Sequence, residues 1–135
     1  MAYVHKTKVG KYTVTDAGIP SVRKLPNGRE VLSAEQLRRL EHRAAITVLE
    51  SVDIEGAELR FARKALDISQ SELGTILGVS SETISRWEQG KESFKRAVQL
   101  AMADLLKASL YEEYLPELKP MSQVGEELEV AIGWQ

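Results

Sequence analysis

The chain contains no cysteine, which excludes disulfides, thiol nucleophiles and cysteine-ligated metal centres. Histidine is nearly as scarce. His5 and His42 are the only two, the first close to the start of the chain and the second among charged residues of a helical pattern, so no metal site is expected. No apolar run approaches the roughly 18 residues that a membrane-spanning helix needs, and MAYVHKTKVGKY lacks an apolar leader core. The expectation is therefore a cytoplasmic protein without a membrane partner. A Gly-rich phosphate loop and a nucleophile motif are both missing, and the carboxylates are scattered, so neither enzymatic activity nor a cofactor is expected.

What is present fits one domain with an appended arm. The 135 residues are 43% hydrophobic and 28% charged, a globular balance that leaves no room for two full-sized domains. The net charge of −2 hides an asymmetry. Residues 1–34 carry six Lys or Arg against two Asp or Glu, whereas residues 110–135 carry one against six. A basic front is compatible with nucleic acid and equally with a solvated surface.

Residues 11–32 read as extended structure. Tyr12, Val14, Val22 and Val31 lie in β-favouring stretches punctuated by Gly18, Pro20 and the turn signal Pro26-Asn27-Gly28, which predicts one or two small hairpins. At Ser33 the period changes. Ser33 and Gln36 form a capping box, and Leu32 and Leu37 are spaced as a hydrophobic staple. Leu37, Leu40, Ala44, Val48 and Val52 then recur every three or four residues. This predicts a helix to about Asp53–Gly56 that buries one stripe and leaves Arg38, Arg39, Glu41 and Arg43 in solvent.

From Gly56 the signals are dense. Leu59, Ala62 and Leu66 give a helix that stops near Asp67. Ser69 and Glu72 form a second capping box, flanked by Ile68 and Leu73, for a helix ending at Gly78. Ser80 caps the next helix, which stops at Gly90, and Ser93 caps another reaching about Leu110. Beyond Pro116 and Pro120, Leu128, Val130, Ile132 and Trp134 alternate with polar or small residues. That strand is expected to join residues 11–14 and 29–32 in one mixed sheet.

Two short helices joined only by Gly78, Val79 and Ser80 make a helix-turn-helix arrangement. The segment SQSELGTILGVSSETISRWEQG, from Ser69, resembles the lambda-repressor and Cro-like class, the XRE family, and GAELRFARKAL supplies the usual preceding helix. The resemblance spans residues 56–110. It implies a helix-turn-helix domain there, and together with the extended pattern of residues 11–32 the expected fold is mainly α with a small N-terminal β-containing module. The expected organisation is a β-rich module over 1–32, a connecting helix over 33–55, the helix-turn-helix domain over 56–110 and an acidic tail over 111–135.

Site residues follow from that geometry. Leu73, Leu77, Val79, Ile84 and Trp87 face inward and read as core, Trp87 in preference to a base-stacking role. Ser81, Glu82, Ser85 and Arg86 face outward on the second helix and are the candidate base contacts. Arg86 has the fork that matches guanine O6 and N7, and Glu82 can accept from cytosine N4 or hold Arg86. The plainer alternative is a surface ion pair between the two. Gln70 resembles the family's phosphate-binding glutamine, with Thr83, Lys91, Lys95 and Arg63 flanking it. The family pattern makes Glu88 a structural acid, expected to pair with Arg60 or Arg63.

The whole layout also resembles the MqsA-type antitoxins, in which a zinc-bearing front module engages a toxin. Here the cysteines of that module are absent. The partners implied are double-stranded operator DNA, a second copy of the chain in a homodimer, and a toxin protein at residues 1–34, the alternative for that module being a dimerisation or stabilising arm.

Overall fold

The structure, a computed structural model, describes residues 3–19 and 23–114. Strands β1 (Tyr3–Val9) and β2 (Tyr12–Ile19) form an antiparallel hairpin that opposes Thr7 to Val14 and Val9 to Tyr12, with a register shift between Tyr3 and His5. Alternation sends Thr7, Val9, Val14 and Asp16 inward, all buried, and leaves Val4, Lys6, Lys8 and Thr13 exposed. His5 therefore lies within a paired strand and not on a loose terminus. Strand β1 escapes the sequence pattern because its inward positions include His5 and Thr7 beside Val9.

Strands β3 (Arg23–Lys24) and β4 (Glu30–Val31) form a second, separate hairpin. Its turn is the expected one. Gly28 N–H donates to the Leu25 carbonyl at 2.9 Å, and Arg29 N–H donates to Asn27 Oδ1 at 3.0 Å. The expected pairing of residues 11–14 with 29–32 does not occur: β2 pairs with β1, and Glu30 and Val31 pair locally with Lys24 and Arg23 across their own turn. The proposed strand over residues 128–134 lies outside the described residues.

Helix α1 (Ala34–Ser51) begins at the predicted capping box: Gln36 N–H donates to Ser33 Oγ at 3.1 Å, and Ser33 N–H donates to Gln36 Oε1 at 3.0 Å. Leu40, Ala44 and Val48 are fully buried as the stripe requires, whereas Leu37 stays 40% exposed and outside the core. The solvated face is not where the period placed it. His42, Arg43, Ala45, Ile46, Thr47 and Leu49 are buried too. The hairpin of β1 and β2 packs on α1 as well as the helices that follow, so this helix is covered on two sides.

Helices α2 (Gly56–Ala65), α3 (Gln70–Leu77), α4 (Ser81–Glu88) and α5 (Arg96–Tyr114) complete a mainly helical fold. Helix α5 starts three residues after Ser93 and takes in residues 111–114, which composition had assigned to the tail. Leu59, Ala62, Leu73, Ile84, Met102 and Leu106 are buried with the inner residues of α1 in one cluster. No helix among the described residues is long and apolar enough to cross a membrane.

One buried side chain on α5 closes the end of α1. Gln99, 3% exposed, donates Nε2 to the carbonyls of Leu49 and Val52 at 2.7 and 2.5 Å and accepts the Ile54 N–H on Oε1 at 3.2 Å. Orphan groups at a helix C-terminus need such partners when water is excluded. Replacing Gln99 by leucine is expected to cost about 1–3 kcal/mol, the penalty for stranded buried polar groups. Urea unfolding of the variant checks it, and an unchanged midpoint would contradict this role.

Candidate nucleic-acid interface

Helix α3 starts at Ser69, whose hydroxyl accepts the Glu72 N–H at 3.0 Å while Glu72 Oε1 accepts the Ser69 N–H at 3.0 Å. These bonds hold the exposed Glu72 carboxyl below its ordinary range, the Ser69 backbone bond contributing most. The helix stops at Gly78, whose φ of 75° is a left-handed conformation that a side chain would strain. Ser80 restarts the chain by accepting the Thr83 N–H at 3.1 Å. Two eight-residue helices are thereby joined through three residues, and Leu73, Ile84 and Trp87 bury their inner faces. Phe94 covers Trp87 at 5.9 Å between ring centroids, a tilted aromatic contact.

With Ile84 and Trp87 inside, helical periodicity puts Ser81, Glu82, Ser85 and Arg86 together on the other side of α4. Glu82 and Arg86 are exposed, and Ser81 and Ser85 are half-buried. Arg86 is held by a neighbour that the sequence reading did not pick for that task. Its Nη2 donates to Thr83 Oγ1 at 3.2 Å, and Thr83 Oγ1 is 2.9 Å from Ser80 Oγ. Among the described residues no ion pair links Glu82 to Arg86, so Glu82 is left facing outward. Gln89 Nε2 donates to Ser85 Oγ at 2.9 Å, leaving the Ser85 proton available to a further acceptor. The helical spacings of three and four residues were the available signal for both contacts.

The residues assigned to phosphates divide. Lys91 and Lys95 are exposed in the segment after α4, where Lys91 N–H caps the helix by donating to the Arg86 carbonyl at 2.9 Å. Thr83 is engaged with Arg86 and Ser80. Gln70 is half-buried at the start of α3 and gives one Nε2 hydrogen to Glu88 Oε1 at 3.1 Å, with a second hydrogen remaining.

Arg63 needs correction as a phosphate contact. Its guanidinium is inside, with Nε and Nη2 donating to the two oxygens of Glu88 at 2.6 and 3.0 Å and Nη1 donating to the Ile68 carbonyl at 2.9 Å. The Arg63 and Glu88 side chains are only 10% and 3% exposed. Arg63 is thus the partner expected for Glu88, and Arg60 is not. This bidentate pair, joined by Gln70, bolts α2, α3 and the end of α4 together.

A second buried acid joins the front module to the helices. Glu58, 1% exposed on α2, accepts the Glu55 N–H on Oε1 at 2.8 Å and the Lys11 N–H on Oε2 at 3.3 Å. The turn between β1 and β2 reaches it at Gly10, where φ is +59° and a β-carbon would stand 1.7 Å from Glu58 Oε2. Lys11 Nζ also lies 3.3 Å from Glu55 in an exposed pair, which adds little. Neither histidine belongs to the α4 face: His5 is on β1, and His42 is buried on α1 with Nδ1 2.8 Å from the Arg38 carbonyl oxygen.

Residues 56–113 match the family model of a helix-turn-helix domain. No curated protein and no solved structure matches the chain. The match covers the four helices described above from α2 to the last turn of α5, and a helix-turn-helix of this kind is a DNA-binding element.

Proposed function

We propose that the chain is a transcriptional repressor that reads double-stranded DNA with α4 in the major groove, binding as a dimer to an inverted-repeat operator. The observation that carries this is the outward face of α4. Ser81, Glu82, Ser85 and Arg86 stand free of the core on a helix whose far end is fixed by the Arg63–Glu88 pair. A rigid helix presenting a fork-shaped cation matches base-edge readout, and Gln70 and Lys91 flank it for phosphates. The XRE-like spacing points the same way. A single reading helix touches few base pairs, and two half-sites about one helical turn apart supply the missing selectivity. Regulation by binding requires no chemistry, and the reading includes neither catalysis nor a cofactor.

Selection of bound duplexes from a random pool tests the proposal, with an inverted repeat as the expected product. On that operator Arg86→Ala is expected to lose about 1–3 kcal/mol and to relax preference at one base pair of each half-site. Gln70→Ala should weaken all sequences nearly equally, since phosphates are the same everywhere. An unchanged ratio of operator to scrambled binding for Arg86→Ala would remove α4 as the reading helix.

A second reading, an antitoxin that also represses its own operon, draws on the outer face of the first hairpin. Val4, Lys6 and Lys8 are exposed there on a module clamped to the DNA-binding part through Glu58, a place where a toxin could dock. Expression of an adjacent open reading frame that is lethal only without this chain would favour it. Harmless expression would leave repression alone.

A further inference from the structure

A groove of about 430 Å³ opens between the first half of α1 and the last turn of α2, and none of its lining residues belongs to α3 or α4. Phe61, Ala65 and His42 are among its lining residues. His42 is 2% exposed, yet it is not fully satisfied by the protein. Its Nδ1 faces a carbonyl oxygen, which can only accept, so Nδ1 carries the proton and Nε2 is left with its lone pair. Among the described residues the Nδ1 contact is the hydrogen bond His42 makes, and no donor meets Nε2. A buried acceptor without a donor, on a residue that lines a groove, is a candidate partner for a donor that enters it.

The rim carries both signs of charge. Lys64 and Arg38 supply cations, Glu41 and Asp67 supply carboxylates. Lys64 and Asp67 sit three residues apart at the end of α2, a spacing that permits pairing, but they form no ion pair, whereas Glu41 lies within electrostatic reach of His5 on β1. The volume is near the lower end of the range for small-molecule sites, roughly 300–1,000 Å³.

We propose that this groove binds a small zwitterion of free amino-acid size with an apolar side chain. The ligand carboxylate faces Lys64, its ammonium group faces Asp67 and gives one hydrogen to His42 Nε2, and its side chain lies on Phe61 and Ala65.

The test uses the full chain without DNA, so its outcome is independent of the repressor reading. Amide spectra are followed while L-phenylalanine is added to millimolar concentration. Three comparators each lack one element: N-acetyl-L-phenylalanine the ammonium, L-phenylalaninamide the carboxylate and glycine the apolar side chain. Saturable shifts centred on Phe61, Lys64 and Asp67 are expected with the parent, and each comparator should bind about tenfold more weakly or worse. Lys64→Ala and Asp67→Asn change exposed side chains, and asparagine tolerates the positive φ of 57° at position 67. Both variants should keep the fold and lose about tenfold in affinity for the parent. Absence of saturation, equal binding of the comparators, or variants that bind as tightly as the native chain would overturn the proposal.

Discussion

Glu88→Ala is expected to destabilise the protein by about 3–5 kcal/mol, the usual consequence of removing one member of a buried ion pair. The arginine left behind loses both of its short contacts and keeps only the Ile68 carbonyl, while Gln70 loses an acceptor. Burial makes this large. An exposed pair of the same geometry would contribute less than about 1 kcal/mol, whereas here little water can reach the abandoned guanidinium. The recognition helix is affected directly, because Glu88 is the last residue of α4. Removing the second charge as well should return much of the loss, so Arg63→Met in the Glu88→Ala background is expected to be more stable than Glu88→Ala alone. Guanidinium unfolding of the three variants measures it. A cost below about 1 kcal/mol for Glu88→Ala would show that the pair contributes no more than an exposed one.

The other large effect belongs to the interface between the first hairpin and α1. Asp16 of β2 is fully buried and Arg43 of α1 is 2% exposed. Burial pushes the Arg43 guanidinium down to about 10, with Arg39 adding to the depression and Asp16 opposing it. Asp16 is the opposite charge that offsets part of the cost of burying this arginine. Asp16→Ala is expected to cost about 3–5 kcal/mol, and replacing Arg43 by methionine in that background should recover most of it. Failure of the double variant to recover would mean that Arg43 is needed for its packing and not as a counter-charge. The pH dependence has a definite sign. A cation with a depressed folded-state pKa disfavours folding wherever it is charged, so Arg43 imposes its full cost below pH of about 10 and is relieved as pH rises through that value toward the ordinary arginine range. Across neutral pH its contribution is flat.

These two sites mark where sequence reading succeeds and where it stops. Helix starts were legible because a capping box is a local device: Ser33 with Gln36 and Ser69 with Glu72 reach only three residues along the chain. The inner residues of α3 and α4 were legible as well, since a three-residue turn leaves few ways to cross two helices. Arg43 and His42 were misplaced because a hydrophobic period describes one packed face, and α1 has two. Arg63 drew two incompatible assignments, one at the phosphates and one with Glu88. The choice between them depends on a residue 25 positions away, and spacing carries no information at that range. The interface side chains Thr83 and Gln89 act on Arg86 and Ser85 through ordinary helical neighbours. Gln89 was overlooked, and Thr83 was assigned to a phosphate and not to Arg86, because hydroxyls and amides at such spacings are common on helices that read nothing.

The approach of Gly10 to Glu58 has a consequence for how the sequence can vary. One carboxylate closes the first turn of α2 and the turn of the first hairpin together. A side chain at position 10 would occupy the space of that carboxylate, and a shorter residue at position 58 would leave two backbone N–H groups without their acceptor. Neither position can drift alone without harm to both elements. Among descendants of this chain, changes at 10 and 58 should arise as linked pairs, and an insertion in the hairpin turn should be inherited only with a rebuilt start of α2.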